Sequence, residues 1–220
     1  MNPNPRLPVL TALFAAACSL AFAADPEIPT AKVSLFNGKD TAGWVSHLKD
    51  NAPADPTWSV KDGLLICTGT PAGFLRTEKS YSQYKFTVEW RFTKPGNTGV
   101  VVHMTLPDAI WPKSIECQGM NKNQGDFYLW SGATAKDTTP LTGKNGEIRG
   151  YKIARAGADA EKPAGEWNTF TVICDKETVT ILVNGKEVNK ATGTNPTSGF
   201  IGLQSEGGAF EVKQATIEPL

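Results

Sequence analysis

Hydrophobic and polar residues alternate with a period of two along most of the chain after residue 23. The alternation is clearest in YKFTVEWRF (84–92), SIECQG (114–119), NTFTVICD (168–175) and ETVTILV (177–183). Because successive side chains of a β-strand point to opposite faces, this pattern predicts strands that bury one face. No stretch longer than ten residues beyond residue 23 has the 3.6-residue period of a helix. The sequence therefore predicts an all-β protein.

Turn residues separate the predicted strands at short intervals. Asp62-Gly63 and Asn184-Gly185 each lie between two alternating runs. Such pairs supply the positive φ angles that type I′ hairpin turns require. Many short strands joined in this way are typical of a β-sandwich or jelly roll. Because the chain contains no linker, internal repeat or low-complexity segment, we expect a single domain.

The same alternation assigns side chains to faces. Ile115 and Cys117 are predicted to face the core, which leaves Ser114, Glu116 and Gln118 on the opposite face. The same reasoning places two further groups on that face, namely Val101 with His103 and Asp126 with Tyr128 and Trp130. A face that combines carboxylates, amides and aromatic rings suits a sugar ligand, since hydroxyls take hydrogen bonds and pyranose C–H faces stack on rings.

The first 23 residues are predicted to be a signal peptide. Arg6 precedes an apolar run that ends in Ala21-Phe22-Ala23, with small residues at the positions before the expected cleavage site. A lipoprotein anchored through Cys18 is the alternative, and the run is short for the roughly 20 residues that span a bilayer. We expect a periplasmic or extracellular protein with a signal peptide (1–23), an N-terminal extension (24–32) and a β-sandwich domain (33–220).

Composition excludes several functions. The 22 Lys and Arg residues balance 22 Asp and Glu residues, so the formal net charge is zero and no basic excess is available for nucleic acid. A hydrophobic content of 40 % argues against intrinsic disorder. Cys67, Cys117 and Cys174 lie in apolar strand-like runs and are expected to be buried thiols, with one disulfide as the alternative.

Nearly all of residues 33–220 resembles one known family. The segments that carry the resemblance are LFNGKDTAGW (35–44), WSVKDGLLICTG (58–69), GFLRTEKSYSQYKFTVEWRF (73–92), TGVVVHM (98–104), WPKSIECQGMNKNQGDFYLW (111–130), PAGEWNTFTVICDKETVTILVNGKEVNKA (163–191) and GFIGLQSEGGAFEVKQATIEPL (199–220). In order and spacing they are similar to the 3-keto-disaccharide hydrolase domain family. The resemblance implies a concanavalin A-like jelly-roll β-sandwich.

The resemblance also implies an enzyme that acts on glycosides already oxidised to a ketone at C3. The carbonyl acidifies the C2 hydrogen, and the glycosidic oxygen at C1 lies β to that carbonyl. A base that removes the C2 proton and an acid that protonates the departing oxygen therefore break the bond by elimination, after which water adds to the enone. Such a site needs a base, an acid and a donor for the enolate oxygen. Hydrolysis and elimination both remain open.

Three residues are predicted to transfer protons. His103 has a side chain that titrates near neutral pH, Glu116 lies in the segment that resembles the family's central motif, and Asp126 begins the next strand. Each has a structural alternative, namely a hydrogen-bonded histidine at a strand end, an ion-paired glutamate and a turn-forming aspartate. His47, in a polar loop, is a second histidine candidate.

Substrate binding is predicted for polar and aromatic neighbours of these residues. The polar candidates are Gln118, Lys113 and Arg91, and the candidate stacking platforms are Trp111, Tyr128 and Trp130. No cofactor is predicted. A divalent cation held by His103, Glu116 and Asp126 stays open, because one histidine with carboxylates has no diagnostic spacing. The expected ligand is a carbohydrate, and the sequence leaves the oligomeric state open. A non-catalytic carbohydrate-binding module and a structural envelope protein are the alternative functions.

Overall fold

The computed structural model describes residues 25–220, so the predicted signal peptide lies outside the described residues. These residues form sixteen strands and one 3₁₀ helix, Lys49–Asn51. In chain order the strands are β1 (Val33–Ser34), β2 (Trp44–Leu48), β3 (Trp58–Lys61), β4 (Leu64–Cys67), β5 (Gly73–Thr77), β6 (Tyr84–Phe92), β7 (Gly99–Met104), β8 (Ser114–Gln118), β9 (Phe127–Trp130), β10 (Thr139–Thr142), β11 (Ile148–Ile153), β12 (Asn168–Asp175), β13 (Thr178–Val183), β14 (Lys186–Thr192), β15 (Phe200–Ser205) and β16 (Phe210–Glu218).

Two eight-stranded sheets pack into a sandwich, which confirms the predicted all-β jelly-roll fold. The first sheet has the order β14-β13-β12-β6-β16-β4-β3, with β1 paired to β16. The second sheet has the order β10-β11-β9-β8-β7-β15-β5-β2. Every strand pair is antiparallel across both sheets of the described chain. Several neighbours in the sheets, such as β7 with β15 and β6 with β16, are distant in sequence, so the fold brings separate segments to one surface.

The predicted strands and hairpins are present where the sequence pattern is strongest. Strand β6 spans the predicted residues 84–92, and its burial alternates along its whole length. Asp62 and Gly63 have φ angles of 52° and 78°, and Asn184 and Gly185 have φ angles of 50° and 80°. Positive φ at both central residues is the signature of the type I′ turn. These pairs therefore close the β3–β4 and β13–β14 hairpins as expected.

One hydrophobic core fills the space between the sheets. Phe86, Val88 and Trp90 of β6 face Ile115 and Phe127 of the second sheet within a single buried cluster. Cys67, Cys117 and Cys174 are also buried and free, as the sequence predicts. No helix among residues 25–220 is long and apolar enough to cross a membrane.

The outer face of the second sheet carries a row of side chains from neighbouring strands. Registered cross-strand pairs run from Lys152 on β11 through Tyr128 on β9 and Glu116 on β8 to Val101 on β7. Because directly opposite residues lie on the same face, these residues share one surface. The sequence therefore predicts correctly that Glu116, Val101 and Tyr128 lie together on the face away from the core.

His103 does not share that face, and its predicted placement beside Val101 is wrong. Its φ angle is +54°, and the pairing of β7 with β15 is irregular near this point. The left-handed residue interrupts the alternation, so the imidazole packs edge-on to Tyr84 at 6.1 Å between ring centroids. Tyr84 belongs to the core between the sheets. Met104 instead joins Phe74 and Val101 in a small apolar cluster.

Candidate active site

Glu116 is the buried carboxyl group at the centre of the outer face of the second sheet. It lies in the middle of β8 and is only 2 % exposed. Its Oε2 accepts a hydrogen bond of 2.7 Å from the indole Nε1 of Trp130. The amide Nε2 of Gln204, on β15, also donates to Oε2 at 3.4 Å. Trp130 lies on β9 and Gln204 on β15, so a strand on each side of the β8–β7 pair supplies a donor to this side chain.

The surroundings of Glu116 favour its protonated form. Burial, followed by the negative charge of Glu206, raises the pKa of Glu116 to about 8, although the hydrogen bonds from Trp130 and Gln204 oppose the shift. A carboxyl group removed from water keeps its proton because desolvation penalises the charged form. At neutral pH Glu116 therefore carries a proton that it can donate.

Glu206 is a second carboxyl group of the site, and no pattern in the sequence indicates it. It follows β15 directly and is half-buried. The side-chain Nδ2 of Asn97 donates a hydrogen bond of 2.6 Å to its Oε2. Burial raises the pKa of Glu206, and the hydrogen bond from Asn97 acts against that increase. A turn sequence, Ser205-Glu206-Gly207, gives no periodic signal that could have identified it.

An open cleft of about 540 Å³ lies beside these carboxyl groups. Its lining residues are Trp111, Trp130, Ser131, Leu141, Thr142, Arg149 and Glu206. Glu116 lines a smaller cavity of about 10 Å³, which shares Trp111 and Trp130 with the cleft. The two indoles therefore form the boundary between the open cleft and the buried carboxyl group. Arg149, like Glu206, is a cleft residue that the sequence analysis did not single out.

Three aromatic side chains form a continuous row along this surface. Trp111 is 37 % exposed, and its ring centroid lies 5.3 Å from that of Trp130. Tyr128 stacks on Trp130 with 5.9 Å between centroids and 6° between planes. None of the three is fully buried, so their predicted role as stacking platforms fits their placement better than a role in the core.

Gln118 lies on the same face as Glu116, two residues along β8. Its Oε1 accepts a hydrogen bond of 3.0 Å from the backbone N–H of Met120, which ties the side chain to the following turn. Lys113 precedes β8, and its carbonyl oxygen accepts the backbone N–H of Thr105 at 3.1 Å. Lys113 lines neither the cleft nor the small cavity. Its predicted contact with substrate remains a prediction.

Asp126 is close to the aromatic row but is fully engaged by protein groups. Its carboxylate accepts three hydrogen bonds. The donors are the ammonium group of Lys152 at 2.7 Å, the backbone N–H of Arg155 at 2.7 Å and Nδ2 of Asn123 at 3.0 Å. Burial acts to raise the pKa of Asp126, but these donors outweigh it and hold the pKa below its ordinary value. An ionised carboxylate that accepts three such bonds is typical of a structural anchor. Its predicted catalytic role is untested.

Arg91 lies on the first sheet, so its predicted place beside Glu116 is wrong. Its guanidinium group pairs with Glu211 through Nε and Nη2, each at 2.7 Å, and stacks over Trp167 at 4.5 Å from the ring centroid. Arg91 points away from the core of β6, as alternation predicts, but this is the outer face of the opposite sheet. Alternation assigns a face within a strand and does not identify the sheet.

The two histidines are both away from the cleft lining. The Nδ1 atom of His103 lies 2.9 Å from the carbonyl oxygen of Pro196, and the side chain is fully buried. Burial lowers the pKa of His103 to about 4, against the raising effect of the Pro196 carbonyl. His47, on β2, stacks on Phe74 at 5.4 Å between centroids. The structure thus separates His103 from Glu116, the two residues expected to act together.

A metal centre receives little support from the side chains. Among residues 25–220, no three His, Cys, Asp or Glu side chains are grouped so that they could hold a metal ion. His103, Glu116 and Asp126, the set left open by the sequence, occupy three different environments.

Comparison with known proteins identifies one relative at low sequence identity. The chain is 25 % identical over 176 residues to a 3-keto-disaccharide hydrolase from Bacteroides thetaiotaomicron, a match that covers 71 % of this chain and 57 % of that protein. The chain thus spans little more than half the length of this relative.

Solved structures share the fold at low sequence identity. A Parabacteroides distasonis protein described as a glycosyl hydrolase superposes with a TM-score of 0.62 and 20 % identity, over 86 % of this chain and 94 % of that one. The carbohydrate-binding module CBM66 from Bacillus subtilis superposes with a TM-score of 0.55 and 12 % identity, over 80 % and 95 % of the two chains. At such identities the likeness establishes the fold alone.

Family membership rests on the sequence pattern of the whole domain. The pattern of the 3-keto-alpha-glucoside-1,2-lyase-like domain matches residues 31–218. This range includes β1 to β16, Glu116 and Glu206. The resemblance found in the sequence is thereby confirmed, and the chain belongs to the family of 3-keto-alpha-glucoside-1,2-lyase-like domains.

Proposed function

We propose that this protein cleaves glycosides that carry a ketone at C3, using Glu206 as the base and Glu116 as the acid. The observation that carries the proposal is the pairing of two carboxyl groups in unequal surroundings. Glu116 is buried behind Trp130, whereas Glu206 lines the open cleft. Burial raises the pKa of both groups, to about 8 at Glu116, and the hydrogen bond from Asn97 opposes the rise at Glu206. Two titratable groups in unequal surroundings are typical of acid–base sites.

The proposed reaction is an elimination followed by hydration. Glu206 removes the proton from C2, and the electrons of the C2–H bond form the C1=C2 double bond. The bond from C1 to the glycosidic oxygen breaks with its electron pair on oxygen, which takes a proton from Glu116. Water then adds across the double bond of the enone, so that the net result is hydrolysis. This route needs a base at C2 and an acid at the glycosidic oxygen, whereas in direct glycoside hydrolysis both carboxyl groups act around C1.

The polar groups around Glu116 support this assignment. Burial keeps Glu116 protonated at neutral pH, since its pKa is about 8. Glu206 lines the cleft where a sugar would lie, and the hydrogen bond from Asn97 favours its ionised form. A buried acid beside a more accessible base is the arrangement that general acid–base catalysis requires. The aromatic row would stack on the C–H faces of the sugar.

The second candidate is a carbohydrate-binding module without catalytic activity. The exposed indole of Trp111 and the stacked pair Tyr128–Trp130 favour it, because aromatic platforms also serve sugar binding alone. The two functions differ in what they predict for substrate. A module binds an unoxidised glycan and leaves it intact, whereas the enzyme consumes the keto sugar.

Export is part of the proposal. The arginine, apolar run and small residues of segment 1–23 support delivery across a membrane, with lipid attachment at Cys18 as the alternative. Determination of the N-terminal residue of the protein isolated from its host tests this. A chain that begins at Ala24 supports export with cleavage, one that begins at a lipid-modified Cys18 supports the anchored form, and an intact segment contradicts both.

To test this proposal, the purified protein is incubated with a 3-keto-disaccharide and, in parallel, with the same disaccharide before oxidation. Released monosaccharide and the ultraviolet absorbance of a conjugated enone are measured over time. We expect cleavage of the keto sugar alone, because only the C3 carbonyl acidifies the C2 hydrogen. Binding of both sugars with no cleavage of either would support the binding module and overturn the proposed enzyme.

A further inference from the structure

The loop at residues 105–113, here called the strap, crosses the outer face of the second sheet between β7 and β8. The backbone N–H of Thr105 donates to the carbonyl of Lys113 at 3.1 Å and closes its base. Its later residues Ile110, Trp111 and Pro112 line the small cavity that also contains Glu116. The strap therefore carries one indole of the cleft and covers the buried carboxyl group.

One ion pair ties the strap to the sheet beneath it. Arg76 on β5 donates from Nε to Oδ1 of Asp108 at 2.7 Å and from Nη2 to Oδ2 at 2.8 Å. The guanidinium group also donates to the carbonyl of Thr77 at 3.0 Å and lies over the ring of Phe200, 4.4 Å from its centroid. A two-pronged arginine–carboxylate pair fixes orientation as well as distance. The position of Asp108 is therefore strongly constrained.

Burial distinguishes this pair from an ordinary surface salt bridge. The side chain of Arg76 is 10 % exposed, and that of Asp108 is 23 % exposed. Exposed pairs contribute little to stability because water and salt screen them, but a covered pair with good geometry resists such screening. Asp108 lies three residues before Trp111 in the strap. Oγ of Ser131 also donates a hydrogen bond of 2.7 Å to the carbonyl oxygen of Trp111.

We propose that Arg76 and Asp108 are positioning residues that hold the Trp111 indole as a platform for the substrate's sugar ring. Neither residue lines the open cleft, so they act through Trp111. The consequence for catalysis rests on the proposed function, but the placement of the indole does not. Loss of the pair is expected to weaken substrate binding, while Trp130 and Gln204 still hold Glu116 and Asn97 still holds Glu206.

The chain contains a matched control pair. Arg91 and Glu211 also form an arginine–carboxylate pair at 2.7 Å, and Arg91 also stacks on an aromatic ring, that of Trp167. This pair lies on the outer face of the first sheet, on the opposite side of the sandwich. Glu211→Gln therefore breaks a similar interaction without touching the strap.

The experiment compares Asp108→Asn and Arg76→Lys with Glu211→Gln in the full chain. The ring centroids of Trp111 and Trp130 are 5.3 Å apart, so the two indoles give a coupled circular dichroism signal that depends on their relative placement. The part of the spectrum that is lost in Trp111→Phe identifies this signal. We expect both strap variants to lose the coupled signal and to raise KM for a 3-keto-disaccharide by about tenfold, with kcat changed less than about twofold. Glu211→Gln should change neither.

The optical and kinetic readouts separate the two proposals. If the wild type does not cleave the keto sugar, the proposed function fails, but the circular dichroism still tests the strap. An unchanged coupled signal in both strap variants overturns the positioning role whatever the kinetics show. The role is also overturned if kcat falls as much as KM rises, or if both variants unfold, because the pair would then support the fold rather than the platform.

Discussion

The indole N–H of Trp130 donates a hydrogen bond of 2.7 Å to Oε2 of Glu116, across the β8–β9 pair. The same indole lines both the open cleft and the small cavity. Trp130 thus joins the place where a sugar would stack to the group that would supply a proton. Gly150 on β11 makes this possible, because a Cβ there would lie 3.0 Å from the Trp130 ring and 2.7 Å from the carbonyl oxygen of Leu129.

Trp130→Phe should move the basic limb of the pH–activity profile to higher pH. The hydrogen bond from Trp130 lowers the pKa of Glu116, which burial and Glu206 raise to about 8. Without that donor the protonated form persists to higher pH, so kcat/KM should fall at a higher pH than in the wild type. Trp167→Phe on the other sheet is the control. An unchanged basic limb in Trp130→Phe would show that this hydrogen bond does not tune the acid.

Glu116→Gln should make the protein more stable while it slows cleavage by about a hundredfold or more. The pKa of Glu116 in the folded state, about 8, lies above its ordinary value of 4.5. Between these values the unfolded state is ionised and the folded state is protonated, so stability falls as pH rises from 4.5 to 8. A neutral amide avoids this cost, which is on the order of 4 kcal/mol at pH 7.5.

Thermal unfolding of Glu116→Gln at pH 4 and pH 7.5 measures this difference. We expect a higher Tm than the wild type at pH 7.5 and little difference at pH 4. Glu89→Gln, which removes an exposed partner of Lys213 on the first sheet, should leave the pH dependence as it is. A lower Tm for Glu116→Gln at both pH values would mean that the carboxyl group is not held in an unfavourable environment.

Asn97→Ala should move the acidic limb of the pH–activity profile to higher pH. Asn97 donates to Glu206 at 2.6 Å, and this bond opposes the raising effect of burial on the pKa of Glu206. When the donor is lost, Glu206 stays protonated to higher pH and less of the base is available. Measurement of kcat/KM from pH 4 to pH 7 tests this. If the acidic limb is unmoved, Glu206 is not the base whose ionisation limits activity.

His103→Leu should change the pH dependence of stability rather than catalysis. Burial holds the pKa of His103 near 4, below its ordinary value of 6.5, so the folded state keeps the ring neutral. The wild type therefore has its full free energy of unfolding above pH 6.5. As the pH falls towards 4, protonation of His103 in the unfolded state lowers this free energy, by about 3 kcal/mol at pH 4. Chemical denaturation at pH 7 and pH 4 measures it. Loss of kcat without this effect would support the catalytic role that the sequence suggests.

Sequence alternation predicted those parts of the site that lie within regular strands. Glu116, Tyr128 and Trp130 occupy β8 and β9, where the period of two is unbroken, and all three lie on the predicted face. His103 departs from the pattern because its left-handed φ interrupts β7. Such an interruption has no signal in the run of valines that precedes it. A local pattern therefore fails where a single backbone angle changes the direction of the side chain.

Contacts between distant segments account for the other differences. Glu206 reaches the cleft because β15 pairs with β7, about one hundred residues away in sequence. Arg91 faces away from the core as predicted, but strand order places β6 in the opposite sheet. Lys152 neutralises Asp126 from β11, 26 residues further along the chain. Tertiary packing decides which strands pair and which sheet each strand joins. The hydrophobic period and the spacing of motifs along the sequence do not contain this information.

We propose that Glu116 donates the proton that allows the glycosidic bond of a 3-keto sugar to break. The most direct test is the initial rate of sugar release from a 3-keto-disaccharide at pH 7, measured for the wild type, Glu116→Gln and Glu89→Gln. We expect the wild type and Glu89→Gln to cleave at similar rates, and Glu116→Gln to be slower by about a hundredfold or more while remaining folded. A rate for Glu116→Gln equal to that of the wild type would contradict the claim.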